Sequence, residues 1–203
     1  MYLSIQNYCY SLVKQFDKIE PERKKILSSI SNFILQQKAQ NKQVQLVYIC
    51  THNSRRSHFG QVWASVAAAY YGISDIFTFS GGTEATAFNI NAIRALEKVG
   101  FIIHSDGQLN NPIYKVCYGE NECMVCFSKV YNDSANPKDN FLAIMTCGEA
   151  EANCPYIPGA IGRVATTYED PKLYDGSPEQ DKAYDDRCRQ IALETLYVFF
   201  LVK

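Results

Sequence analysis

Cys50-Thr51-His52-Asn53-Ser54-Arg55-Arg56-Ser57 constrains this chain more than any other stretch. A cysteine closes an apolar run (Val44, Leu46, Val47, Tyr48, Ile49), an arginine follows six positions later, and an apolar-striped segment begins after Ser57. Phe59, Val62, Trp63, Val66, Ala67 and Tyr70 fall at helical spacing, and Gly72 supplies a stop. Strand, short loop and helix N-terminus in that order aim free backbone N–H groups and the positive end of a helix dipole at one point. Such a place favours a thiolate over a thiol, and the Arg56 fork matches two oxygens of a tetrahedral oxyanion. The loop 51–56 is therefore a candidate oxyanion cradle with Cys50 as nucleophile. The plainer alternative is an inert cysteine ending a core strand.

With 203 residues, 47% of them hydrophobic, the chain supports one full core. Twenty basic residues against 21 acidic ones leave no electrostatic footprint for nucleic acid. No apolar run approaches the roughly 18 residues needed to span a bilayer, and Met1-Tyr2-Leu3-Ser4-Ile5 lacks the features of a secretion signal. These features predict a cytoplasmic protein without nucleic-acid or membrane partners. Eight cysteines are too sparse for a disulfide scaffold, so reactive or buried thiols are expected. Their spacing does not form two Cys-x2-Cys pairs, and no metal site is expected.

Residues 1–42 read as two helices outside the main domain, the second opening at Glu20-Pro21-Glu22. Short helices cannot bury their faces alone, so they are expected to cover the main domain, 43–203, or a second copy in a homodimer. That domain alternates strand 44–50, helix 57–71, strand 76–79, a turn at Ser80-Gly81-Gly82, helix 87–99 and the apolar Phe101–Ile103. The order predicts an α/β fold with an open, four-stranded parallel sheet and helices on both faces. An insertion at about 105–140 carries a β-hairpin around Gly119–Glu122; strand 141–147 follows, then an unpatterned loop over 148–177 and a last helix over 180–202.

Cys147 ends a core strand, as Cys50 does. In a parallel sheet the strand C-termini share one edge, so both thiols are expected in one crevice. Cys154 follows after the small, polar segment 148–153, a spacing suited to a resolving thiol in disulfide exchange. Two unrelated cysteines are the alternative. Asp170, extended before Pro171, is a candidate proton donor over the loop, with Glu169 and Asp175 as competitors.

Taken together these segments resemble the low-molecular-weight protein tyrosine phosphatase superfamily, and within it the thioredoxin-coupled arsenate reductases. Cys50-Thr51-x-Asn53-Ser54-x-Arg56-Ser57 is similar to the phosphate loop, Thr146-Cys147-x6-Cys154-Pro155 to the redox pair of the reductases, Tyr168-Glu169-Asp170-Pro171 to the acid motif, and Ser80-Gly81-Gly82 to the turn after the second strand. The resemblance covers roughly residues 44–200. It implies that Cys50 attacks the oxyanion while Arg56 and the loop amides hold its oxygens. Ser57 would support the thiolate, Asn53 and Ser80 would brace the loop, and Asp170 would protonate the leaving group.

With arsenate, the resemblance implies a Cys50/Cys147/Cys154 relay that releases arsenite, with thioredoxin as electron donor and no bound cofactor. With a phosphoester it implies hydrolysis by Cys50, Arg56 and Asp170. A non-catalytic oxyanion or redox sensor is a third reading. This chain departs from the pattern at His52 and Arg55, which make the loop more cationic, and at Gln61, which replaces an acidic residue near a bound potassium ion. Cys117, Cys123 and Cys126 are expected as packing or edge thiols, and His58 and His104 as surface or capping residues.

Overall fold

Strand β1 (Val44–Cys50) is buried along almost its whole length, and its side chains alternate between two cores. Val44, Leu46 and Tyr48 face one, Val47 and Ile49 the other, as the two-residue period of a strand dictates. In this computed structural model, residues 1–107, 110–153 and 156–203 are described. The main sheet contains β2 (Ile76–Gly82), β1, β6 (Phe141–Met145) and β7 (Ala160–Ala165), in that spatial order and all parallel.

Four parallel strands were expected, but the fourth has an unexpected origin. It is β7, from within the stretch read as one long loop. Ala160-Ile161-Gly162-Arg163-Val164-Ala165 has no continuous apolar run, and Gly162 lies under Leu142, where a Cβ would come within 2.9 Å of a methyl group. The sheet supplies its pairing where the sequence supplies no pattern. Phe101–Ile103 instead leads into β3 (Ile102–Ser105), which pairs antiparallel with β4 (Tyr114–Cys117), itself paired with β5 (Cys123–Cys126), in a separate sheet. Ser80-Gly81-Gly82 is not a free turn but the end of β2, paired with Tyr48, Ile49 and Cys50.

Helix α3 (Arg56–Tyr70) lies between β1 and the last helix, α6 (Gln180–Phe200), and is buried around most of its circumference. Its Trp63 is fully buried, edge-on to Phe101 and stacked on Tyr8. Truncating such a side chain to alanine costs about 3–5 kcal/mol. α4 (Ile90–Val99) starts with Asn89 capping the amides of Asn91 and Ala92 and stops at Gly100 in the left-handed region.

The N-terminal helices α1 (Leu3–Val13) and α2 (Pro21–Ala39) bury Ile5, Cys9, Leu12, Ile30 and Ile34 in the same core as α3 and α6. The opposite face of the sheet is covered by α5 (Gly148–Asn153) and by Ile157 and Tyr131. The segment after Cys147, expected to be irregular, is thus a short helix. No helix among the described residues is long and apolar enough to cross a membrane.

Candidate active site

β1 delivers Cys50 to the carboxyl edge of the sheet, and the chain turns through Thr51–Arg55 into α3. The loop carbonyls point outward and are satisfied: Cys50 O accepts from Thr83 N, Thr51 O from Glu84 N, and Ser54 O from Asn89 N. His52 O takes the hydroxyls of Thr86 and Ser128. No protein acceptor among the described residues takes the amides of residues 52–56, so these donors remain for an anion, as in a backbone nest. Gly82 allows this close packing, since a Cβ there would stand 2.6 Å from Thr51 O and 2.7 Å from Asn53 N.

Inside the loop a short polar chain leads to the sulfur. Asn53, fully buried and at φ 44, donates from Nδ2 to Ser57 Oγ at 2.8 Å, and Ser57 Oγ lies 3.1 Å from Cys50 Sγ. Ser54 Oγ donates to Ala87 O at 2.7 Å, tying the loop to the start of α4. Arg56 sends one Nη to the Tyr168 carbonyl at 2.8 Å and the other to Asp170 Oδ2 at 2.5 Å; its Nε is buried without a partner. The fork therefore keeps one donor uncommitted beside the loop and brings Asp170 to it. Asp170 Oδ1 accepts from Lys172 N, which caps the 3-10 turn at Pro171–Tyr174. The two competing acids are committed elsewhere, Asp175 to Arg55 and Tyr184, and Glu169 to Arg187.

Cys147 lies at the same edge, buried in one cluster with Cys50. Its Sγ is 3.4 Å from Thr51 Oγ1 and accepts from Ala150 N at 3.4 Å. Both sulfurs are free. Cys154 lies outside the described residues. The site thus unites an oxyanion cradle, a thiol, a guanidinium, a carboxyl group and a second thiol, an arrangement suited to nucleophilic attack on a tetrahedral oxyanion.

Two expectations are corrected. Cys117 and Cys123 are joined in a disulfide rather than standing as separate thiols; they are directly paired across β4 and β5, the register that brings cross-strand cysteines together. No group of three or more His, Cys, Asp or Glu able to hold a metal occurs among the described residues. His58 is not at the surface. It is fully buried, stacked on Phe88 at 4.0 Å, with Nδ1 3.2 Å from Ser80 Oγ. Burial, reinforced by the Lys129 charge, holds its pKa well below the ordinary histidine range.

The sequence reading also missed supports from remote segments. Lys129 N donates to Asn53 Oδ1 at 2.9 Å, and Asn136 Nδ2 to Ser80 O at 3.0 Å. Arg23 of α2 and Tyr168 both donate to Glu194 Oε2, bracing the backbone just before Asp170. Single residues of this kind leave no sequence pattern; a buried Glu194 in an apolar stretch of α6 was the nearest available signal.

No protein-family model matches the chain. It is 27% identical over 144 residues to an arsenate reductase of Bacillus subtilis (strain 168), covering 71% of this chain and 86% of that one. It is 27% identical over 128 residues to an arsenate reductase of Staphylococcus aureus (strain Newman), covering 62% and 77%. The fold is similar to that of a low-molecular-weight phosphotyrosine phosphatase from Vibrio cholerae O395, with a TM-score of 0.51 at 14% identity over 76% of this chain and 93% of that chain. With the cradle, two thiols and an acidic side chain gathered at one sheet edge, the chain is similar in sequence to arsenate reductases and has the fold of a low-molecular-weight phosphotyrosine phosphatase.

Proposed function

We propose that the protein reduces arsenate by a three-cysteine relay. The observation that carries this reading is the second free thiol at the loop, Cys147, in contact with Thr51, since hydrolysis of a phosphoester needs no such group. The Cys50 thiolate attacks arsenic(V) held by the loop amides and Arg56, and an oxygen leaves as water with a proton from Asp170. The Cys147 thiolate then attacks the Cys50 sulfur. The Cys50–Cys147 bond forms, the sulfur–arsenic pair of electrons passes to arsenic, and arsenite leaves. Cys154 attacks Cys147, freeing Cys50, and a dithiol donor of the thioredoxin kind reduces the Cys147–Cys154 bond. In this scheme residues 1–42 extend the 43–203 domain and brace its acid motif through Arg23.

NADPH consumption with arsenate, thioredoxin and thioredoxin reductase is expected for the wild type and not for Cys147→Ser. Sustained turnover by Cys147→Ser would remove the relay.

The Asp170–Arg56 contact also favours a second reading, hydrolysis of phosphomonoesters with Asp170 as acid. Under it, para-nitrophenyl phosphate is cleaved by wild type and by Cys147→Ser alike, and Asp170→Asn lowers kcat by roughly 10²–10³-fold. Cleavage unaffected by Asp170→Asn would dismiss that reading.

A further inference from the structure

The anion loop contributes three basic side chains, and each already faces a carboxylate. Arg56 pairs with Asp170 at 2.5 Å, Arg55 with Asp175 at 3.3 Å, and His52 Nε2 lies 3.6 Å from Glu84. A site so neutralised would attract an oxyanion mainly through its backbone dipoles. Lys129 differs from all three. Its main chain sits directly behind the loop, its N–H on Asn53 Oδ1 and its carbonyl accepting from Gly82 N at 2.9 Å, and the residue is only 5% exposed.

The Lys129 ammonium touches the Phe127 carbonyl at 3.5 Å and lies 4.5 Å from the centre of the Phe127 ring. No salt bridge among the described residues reaches it. The charged and titratable groups that act on it are Asp133, the Cys126 sulfur and His58. Gln61, which shares its recess of about 230 Å3, is neutral and has its own Oε1 buried without a partner.

A buried ammonium without a counter-ion costs free energy that a methionine of similar shape would not. Burial accordingly pushes the Lys129 pKa below the ordinary lysine range. The charge is therefore costly to the fold, and the loop it backs is a place where a negative charge arrives. Asn53 connects the two, since it accepts from the Lys129 main chain and donates to Ser57, the partner of Cys50.

We propose that Lys129 is a positioning residue for the oxyanion, the standing positive charge behind the loop, balanced only when an arsenate or phosphate dianion occupies it. The inference rests on the reading of residues 51–56 as an oxyanion site. A single charge acting on a dianion through the protein interior contributes about a factor of ten or more to its affinity.

Calorimetric titration with inorganic phosphate, paired with thermal denaturation, tests this on the full chain. Lys129→Met is expected to weaken phosphate binding about tenfold while raising Tm by about 2–4 °C, because the uncompensated charge is gone. Lys129→Arg, which keeps the charge, is expected to bind within about threefold of wild type. Phosphate bound by Lys129→Met as tightly as by wild type would overturn the proposal. So would weaker binding with a lowered Tm that Lys129→Arg does not rescue, which is the signature of packing alone. Wild-type protein that takes up neither phosphate nor arsenate would remove the loop reading, and this inference with it.

Discussion

Cysteines at the sheet edge and cysteines in the core of this molecule are all buried, yet their surroundings differ in kind. Cys9, Cys126 and Cys188 are enclosed by apolar groups, and burial pushes each thiol up to about 12. Even the indole N–H that reaches Cys188 at 3.3 Å does not offset that desolvation. Cys50 and Cys147 instead end strands where hydroxyls and uncommitted amides converge: Ser57 at the first, Thr51 and the Ala150 amide at the second. Burial alone silences a thiol, whereas burial with donors aimed at the sulfur prepares it for chemistry. Strand polarity makes the difference, because a parallel sheet sends every strand's carboxyl end, with its loop and helix N-terminus, to one edge.

The largest effect that follows sets one cysteine of each kind side by side. Cys50→Ser is expected to lower turnover by about 10⁴-fold or more, with arsenate or with an aryl phosphate, while Cys126→Ser stays within about twofold of wild type. Comparable losses in the two variants, both folded by circular dichroism, would break the distinction.

A smaller effect concerns the brace that holds the acid over the loop. Arg23→Ala leaves Glu194, 4% exposed, without its guanidinium. A loss of about 3 kcal/mol is expected, read as a fall in Tm of roughly 6–12 °C. A change under 1 kcal/mol in urea unfolding would show that Tyr168 alone satisfies the carboxylate.

The smallest effect is a pH slope. Unfolded, His58 takes up a proton near 6.5; native, its buried ring has a depressed pKa and does not. Below about pH 6.5 the unfolded state therefore binds more protons, and stability falls as pH drops towards the native pKa, by about 1.4 kcal/mol per pH unit. His58→Asn should remove that share of the slope between pH 6.5 and 5.5. Identical slopes in urea titrations of the two proteins would place the His58 proton elsewhere.

Much of the site was legible because its parts are local. Strand, loop and helix around Cys50 are contiguous, and their polar residues follow an apolar run that only a core strand explains. Cys147 was legible from the polarity rule applied to a second apolar run. β7 was not, since an edge strand containing Gly162 and Arg163 draws its order from pairing with β6 rather than from its own composition. His58 was misjudged because α3 is buried almost all round, which leaves no polar face against which a buried histidine stands out. The Cys117–Cys123 bond was recoverable in principle, because a hairpin turning at Gly119–Glu122 sets those two residues opposite each other. Lys129, Asn136 and Arg23 were invisible, since each reaches the site region from a remote segment through a couple of contacts that leave no sequence pattern.

The central claim is that Cys147 completes the chemistry Cys50 begins. Its most direct test is mass spectrometry, under non-reducing conditions, of Cys154→Ser after incubation with stoichiometric arsenate. The relay predicts a Cys50–Cys147 disulfide that accumulates with one equivalent of arsenite and is absent without arsenate. Arsenite released with Cys147 still free, or no disulfide and no arsenite at all, would contradict it.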